Sequence, residues 1–329
     1  LHSTSRRQRQ MCIRDRDFMK QKISTLFCIC LLLFLLVHPE EAFLSAKDGM
    51  SLWLNVMIPT LLPFLILTGI LLKAGNIPQL LGPLSPFWKH FFGISPAGAY
   101  VLILGFLCGY PMGAKLAHDL YINHQISQRE GEYLLTFSCN ASPAFIFSYL
   151  SKNILEGKIP PHSLLLILLS ADFVCMLFFR FLVYHGNTVS SVKPEYRKKE
   201  TYQQDSTGVI LDVSIMSGFE TITRLGGYIL IFSLLFTGFY HYWPFCSQNK
   251  ILLTSPIELT TGLHQIAQSA FSWKIKYITS MTLTAFGGFC VMFQTKSVLE
   301  EKLSILPYIF AKCLNASLVF LFLVLSNII

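Results

Sequence analysis

The sequence predicts an all-α polytopic membrane protein with about seven to eight transmembrane or re-entrant helices. Three observations carry that prediction. Of 329 residues, 53% are hydrophobic and only 13% charged, against roughly a quarter charged in a soluble domain. A mean hydropathy of +0.52 and 28 phenylalanines supply more apolar surface than one or two water-soluble cores can hide, so the excess must face lipid. The apolar residues also gather in runs long enough to cross a bilayer, separated by short polar stretches.

Residues 1–18 hold five arginines and two aspartates without an apolar period. The text MCIRDR reads as a non-native extension, and Met19 with Lys20 and Lys22 as a natural start. The apolar stretch Ile23 to Val37 lacks small residues suited to cleavage after it, so residues 19–42 read as an uncleaved anchor helix. Leu52 to Leu72 carries Pro59 and Pro63, four residues apart, and should be kinked and packed against protein. Ile77 to Phe92, with Trp88 and Lys89, reads as an interfacial connector.

Ala97 to Ala114 is long enough to span but contains Gly98, Gly105, Gly109, Pro111 and Gly113, the composition of a broken or re-entrant helix. Tyr133 to Leu150 is interrupted by Asn140-Ala141-Ser142-Pro143. Leu164 to Val183 carries Asp172 and Arg180 near one face, where packing against protein is favoured over lipid. Residues 187–208, with Lys193, Arg197, Lys198 and Lys199, form a basic cytoplasmic loop that divides a membrane half at 43–186 from another at 209–329. Val209 to Leu225 holds Asp212, Glu220 and Arg224 and looks too polar to span. Gly226 to Trp243 spans; Ile251 to Ser269 is only modestly hydrophobic; Tyr277 to Thr295 is broken by Gly287-Gly288; Pro307 to Ile328 is the last span.

Side-counting favours a hairpin at 97–114. With a cytoplasmic N-terminus, a full crossing there puts the Lys193–Lys199 loop outside, against the positive-inside bias, whereas a hairpin that enters and returns puts it inside. The two halves also look related. Gly109 to Lys115 followed by Asn140-Ala141-Ser142 matches Gly287 to Lys296 followed by Asn315-Ala316-Ser317, and broken segments at corresponding positions point to a site near the bilayer midplane.

Several function classes fall away. The net charge of +8 suits cytoplasmic loops and gives no nucleic-acid footprint. The cysteines sit in apolar runs without metal-ligand spacing and read as packing residues, so neither metal nor cofactor is expected. No HExxH, GxSxG or helically spaced carboxylate pair within one span is present, which argues against an enzyme.

The texts PEEAF, WLNVMIPTLLPFLI, GYPMGAKLAHDLYINHQISQREGEYLLTFSCNASPAFIF, ELTTG and FGGFCVMFQTKSVL resemble the sporulation integral membrane proteins that carry the nucleoside-recognition (Gate) domain, known from endospore-forming Firmicutes. The resemblance runs from about Pro39 to the C-terminus and is strongest from Gly109 to Phe147. It implies a role in spore cortex formation, a place in a membrane of the sporulating cell, and an architecture shared with concentrative nucleoside transporters and ferrous-iron permeases. Cys139 and Ala141 depart from the family's polar Ser/Thr/Asn patch.

The candidate substrate-binding residues are Glu258, Thr260, Thr261, Asn140, Ser142, Gly109, Lys115, Gln294 and Asn315. Glu258 could take a cation, a proton or a substrate hydroxyl, or simply cap a helix after Ser255-Pro256. Asn140, Ser142, Asn315 and Ser317 could line a shared polar cavity or join helices at about 0.6 kcal/mol each. Gly109 to Gly113 could present free backbone groups to a ligand. Lys115 and Lys296 could bind an anion, although snorkelling to the interface is the simpler reading. The expected partners are the lipid bilayer and a small polar solute, nucleoside-like or cationic, and a homo-oligomer is compatible with the sequence. The leading expectation is a protein that transports or gates that solute, and the alternative is a non-transporting assembly component of the sporulation machinery.

Overall fold

The computed structural model describes residues 22, 25–74, 81–185, 207–242, 244 and 247–326. The N-terminal extension and the basic cluster Lys193 to Lys199 lie outside the described residues. Those described are mostly helical, with no strand among them.

Helix α1, Thr25–Val37, ends at His38, and the chain turns through 109° because Pro39 starts a new helix from a fixed φ and donates no amide proton. Helix α2, Pro39–Leu52, passes through a π turn at Trp53–Met57 into α3, Ile58–Ala74. The π turn answers the predicted kink. Pro59 has no N–H for a carbonyl one turn back, and the wider register lets Ile58 N–H bond Trp53 O instead.

A short helical stretch, Gly82–Phe92, meets α4, Pro96–Cys108, at 77°. Helix α4 and α5, Met112–Ile122, form a hairpin about a turn at Gly109–Pro111. Thirteen residues of α4 reach only about 20 Å, short of the ~30 Å hydrocarbon core. The glycines serve this fold in two ways. Gly109 has φ +84, a conformation that side chains resist. Gly105 and Gly113 are helical and are small because backbones meet there: a Cβ built on Gly105 lies 3.0 Å from the Gly113 Cα, and on either residue it lies 2.3 Å from Ser138 O.

Helix α6, Gln128–Leu135, leads into an unwound stretch at 138–142 and then α7, Pro143–Phe145 widening to π-type bonding over Ile146–Ile154. Helix α8, Pro161–Phe178, continues through a π turn to Val183. The Arg180 guanidinium donates to the His90 and Phe91 carbonyls, pinning the end of this span to the stretch before α4.

Helix α9, Thr207–Tyr242, is a single 36-residue helix. This corrects the expectation that Val209 to Leu225 cannot belong to a span. At 1.5 Å per residue α9 runs about 54 Å, well beyond the bilayer core, so its polar first turns can stand clear of the hydrocarbon. Glu220 pairs with Arg224 one turn on at 2.5 Å, and the Ser214 and Thr221 hydroxyls bond carbonyls of their own helix. Helices α2 and α3 pack along it.

A second hairpin follows, α10 at Ser247–Thr254 and α11 at Leu259–Gln268, around a turn at Ser255–Glu258. Helix α12, Trp273–Phe286, breaks from α13, Gly288–Val298, where Gly287 and Gly288 both have φ +84. Helix α14, Leu306–Leu325, is the last. Among the described residues, four stretches are long and apolar enough to cross a membrane, and up to six if each bent pair counts as one span. Their outward residues, Leu166, Phe181, Leu182, Phe310 and Leu325 among them, are exposed apolar side chains suited to lipid.

The element order therefore repeats as hairpin, broken helix, long helix: α4/α5, α6–α7, α8, then α10/α11, α12–α13, α14. This shifts the register of the repeat read from the sequence. In that element order the Gly109 turn takes the place of Ser255–Glu258, and the stretch 138–142 the place of Gly287-Gly288. The two Asn-Ala-Ser texts are not equivalent, since Asn140-Ala141-Ser142 is unwound and Asn315-Ala316-Ser317 lies within a continuous helix.

Candidate functional site

In each repeat the hairpin turn presses backbone against the break of the following helix. A Cβ on Gly109 would stand 2.9 Å from Ser142 N. In the second repeat, Phe289 N–H and Cys290 N–H, at the start of α13, donate to Pro256 O and Ile257 O at 2.7 and 3.1 Å. The repeats also reach across to each other: the Tyr110 hydroxyl donates to Thr284 O at 3.0 Å, and the Tyr149 hydroxyl to Thr260 O at 3.1 Å. Unwound backbone in apolar surroundings persists only where it is paired or faces a polar hollow, and these bonds pair part of it.

A cavity of about 80 Å³ opens between the two turns, and its lining includes Gly109, Tyr110, Ser142, Glu258, Thr260 and Gln294. Five of the nine candidates thus converge from segments up to 185 residues apart in number. Glu258 is both a cap and a cavity residue. It is the N-cap of α11 and is 4% exposed, so the cap is a buried one. Thr260 Oγ1 and Thr261 N both donate to its Oε2, at 2.6 and 2.7 Å. Among the described residues no donor is bonded to Oε1, which leaves one carboxylate oxygen free for a solute. Ser142 likewise caps α7, accepting from Phe145 N at 3.2 Å. Gln294 is buried and donates to Cys290 Sγ at 3.3 Å.

The other four candidates fall elsewhere. Thr261 contributes its amide to Glu258. Lys115 pairs with Asp119 at 3.5 Å beside a separate cavity of about 70 Å³ lined by Lys73, Ser214 and Ser217, so it does not serve the Glu258 site. Asn140 and Asn315 join a buried polar group next to the cavity. Lys312 Nζ donates to Asn140 Oδ1, Asn315 Nδ2 donates to Asp172 Oδ1, and Asn140 also reaches the Asp172 carboxylate. Lys296 is exposed, in keeping with snorkelling. His118, beside Asp119 on the same helix, is buried.

Asp172, which the sequence reading assigned to packing, and Lys312, to which it gave no role, are functional candidates. The available signal was that each is a charged residue near the middle of a long apolar run, where a charge is costly without a partner. Tyr110 was passed over too. It lines the cavity, stands beside Gly287 with ring atoms from 3.5 Å of a built Cβ, and presents its ring to Lys312 at 5.5 Å.

The chain is similar to the sporulation integral membrane protein YlbJ of Bacillus subtilis (strain 168), at 28% identity over 338 aligned positions that cover 89% of this chain and 80% of that protein. The protein is an integral, multi-pass membrane protein. No protein-family model matches it, and no solved structure does.

Proposed function

We propose that this protein transports, or gates the passage of, a small polar solute across a membrane of the sporulating cell, and that the solute rests between the two hairpin turns. The observation that carries the reading is the convergence of two broken backbones and a buried carboxylate, Glu258, on one cavity. Discontinuous helices meeting near the midplane are how membrane transporters present backbone groups and dipoles to a substrate. The relative's name supports the sporulation setting; the role in cortex formation and the Gate-domain assignment rest on the resemblance of the sequence texts.

At about 80 Å³ the cavity has room for a few waters, each needing ~10–15 Å³ of such space, or for a small cation with part of its hydration. A nucleoside would require the turns to part. Free Glu258 Oε1, the Ser142 hydroxyl and the Gln294 amide are acceptors or donors that suit a cation or a hydroxylated solute. The reading invokes no catalysis and no cofactor.

Liposomes containing the purified protein test it, with flux measured for a panel of monovalent and divalent cations and nucleosides. Flux of at least one solute is expected, lost in Glu258→Gln and kept in the lipid-facing Leu166→Ala. Absence of flux across the panel would favour the alternative of a non-transporting assembly component, and flux unchanged in Glu258→Gln would overturn the placing of the solute at this carboxylate.

A further inference from the structure

Lys312 is the one lysine among the described residues that is almost wholly buried, at 1% exposure. It stands on α14, and its ammonium is met by an arrangement of groups that suits a cation. Nζ donates to Asn140 Oδ1 from the unwound stretch at 138–142. The rings of Tyr110 and Tyr308 lie 5.5 and 5.7 Å from it, within the range at which an aromatic face attracts a positive charge. Asp172 on α8, 8% exposed, supplies the opposite charge. Asn315, one turn along α14 and 3% exposed, gives its Nδ2 to Asp172, while its Oδ1 has no donor. A buried amide oxygen without a donor is unusual and adds a further acceptor to the group.

The ammonium touches one amide oxygen and two π faces, and a carboxylate and a second amide oxygen lie in the same buried group, a set that suits a monovalent cation. An isolated ammonium taken from water into such surroundings is expensive unless they replace its hydration. We propose that Asn140, Asp172, Asn315 and the Tyr110 and Tyr308 rings form a monovalent-cation site that Lys312 fills from within as a tethered ammonium. The tether holds the 138–142 break against α8 and α14 without a free ion. One consequence rests on the transport reading above: flux through the wild-type protein needs no Na⁺ or K⁺ at this position. The site itself does not depend on that reading.

The test is thermal unfolding of the purified full chain in detergent at constant ionic strength, in N-methylglucamine, sodium, potassium, ammonium or methylammonium chloride. Lys312→Ala should melt below wild type in N-methylglucamine and recover by several degrees, saturably, with the small cations, methylammonium being the best mimic of the lost terminus. Wild type should not distinguish the salts. Adding Asp172→Asn to Lys312→Ala should abolish the recovery. A Lys312→Ala variant with the same melting temperature in every salt overturns the proposal, as does a wild type that responds equally. Should Lys312→Ala yield no folded protein, Lys312→Met/Asp172→Asn, which removes both charges, should restore folded yield without any cation response; yield no better than the single variant overturns it. Flux is not read in any arm, so failure here and failure of the transport reading are separate results.

Discussion

Replacing Gly113 by alanine places a methyl carbon 2.3 Å from Ser138 O and 2.7 Å from Ser138 Oγ. Carbon and carbonyl oxygen do not ordinarily approach closer than about 3.3 Å, so either α5 or the 138–142 stretch must give by about 1 Å. The obstacle is backbone, which cannot rotate away as a side chain would. Overpacking of this kind costs about 1–3 kcal/mol, a fall in melting temperature on the order of 5 °C. Because Asn140 lies two residues beyond Ser138, flux should fall as well. Gly227→Ala is the internal control: it lies within α9, and nothing stands within 4 Å of its built Cβ. There the alanine should stabilise, by up to about 1 kcal/mol. Thermal unfolding of both variants in detergent checks the pair. Gly113→Ala melting at or above wild type would refute the view that these glycines exist for close backbone contact.

Further outcomes are expected at other positions. Glu258→Gln keeps an acceptor for Thr261 N–H and should fold normally while losing flux, whereas Glu258→Ala also loses its cap, worth about 0.5–2 kcal/mol; melting and flux together separate the two. Tyr110→Phe should cost about 1 kcal/mol, read by thermal unfolding, from its bond to Thr284 O. Cysteines at Ser95 and Asn123, which flank the first hairpin, should label from the same side of the membrane, and labelling from opposite sides would remove the hairpin. In the loop between α7 and α8, the Lys158 ammonium 2.5 Å away holds the Glu156 carboxyl below its usual range. The folded pKa is the lower one, so the stabilisation is present above the unfolded value and disappears as pH falls through the folded value. The melting difference between wild type and Glu156→Gln should therefore shrink on acidification below about pH 4, and in high salt.

Much of the cavity was legible because its residues break local patterns. Gly109, Ser142, Glu258 and Gln294 are polar or helix-breaking residues inside apolar runs, and they are costly there unless something uses them. The second hairpin was not legible. Residues 247–268 are only mildly apolar, and their turn depends on Gly262, where a Cβ would sit 2.4 Å from Ser255 O, a constraint that appears only once the chain has folded back. Lys115 looked equivalent to the other candidates because it ends the glycine-rich run, yet its helix carries it away from the Glu258 cavity toward Asp119.

The sequence by itself determined the solvent and the class: an apolar excess that only lipid can accommodate, and helices because a spanning backbone must satisfy its own hydrogen bonds. It also determined some of the breaks, at Pro39, Gly109 and Gly287-Gly288, since proline and positive-φ glycine act locally. Only the tertiary structure decided which breaks face one another, that Asp172 meets Asn315 across 143 residues, and that Lys312 reaches Asn140 across 172. Those pairings depend on the distance between packed helices, and no local spacing along the chain encodes it.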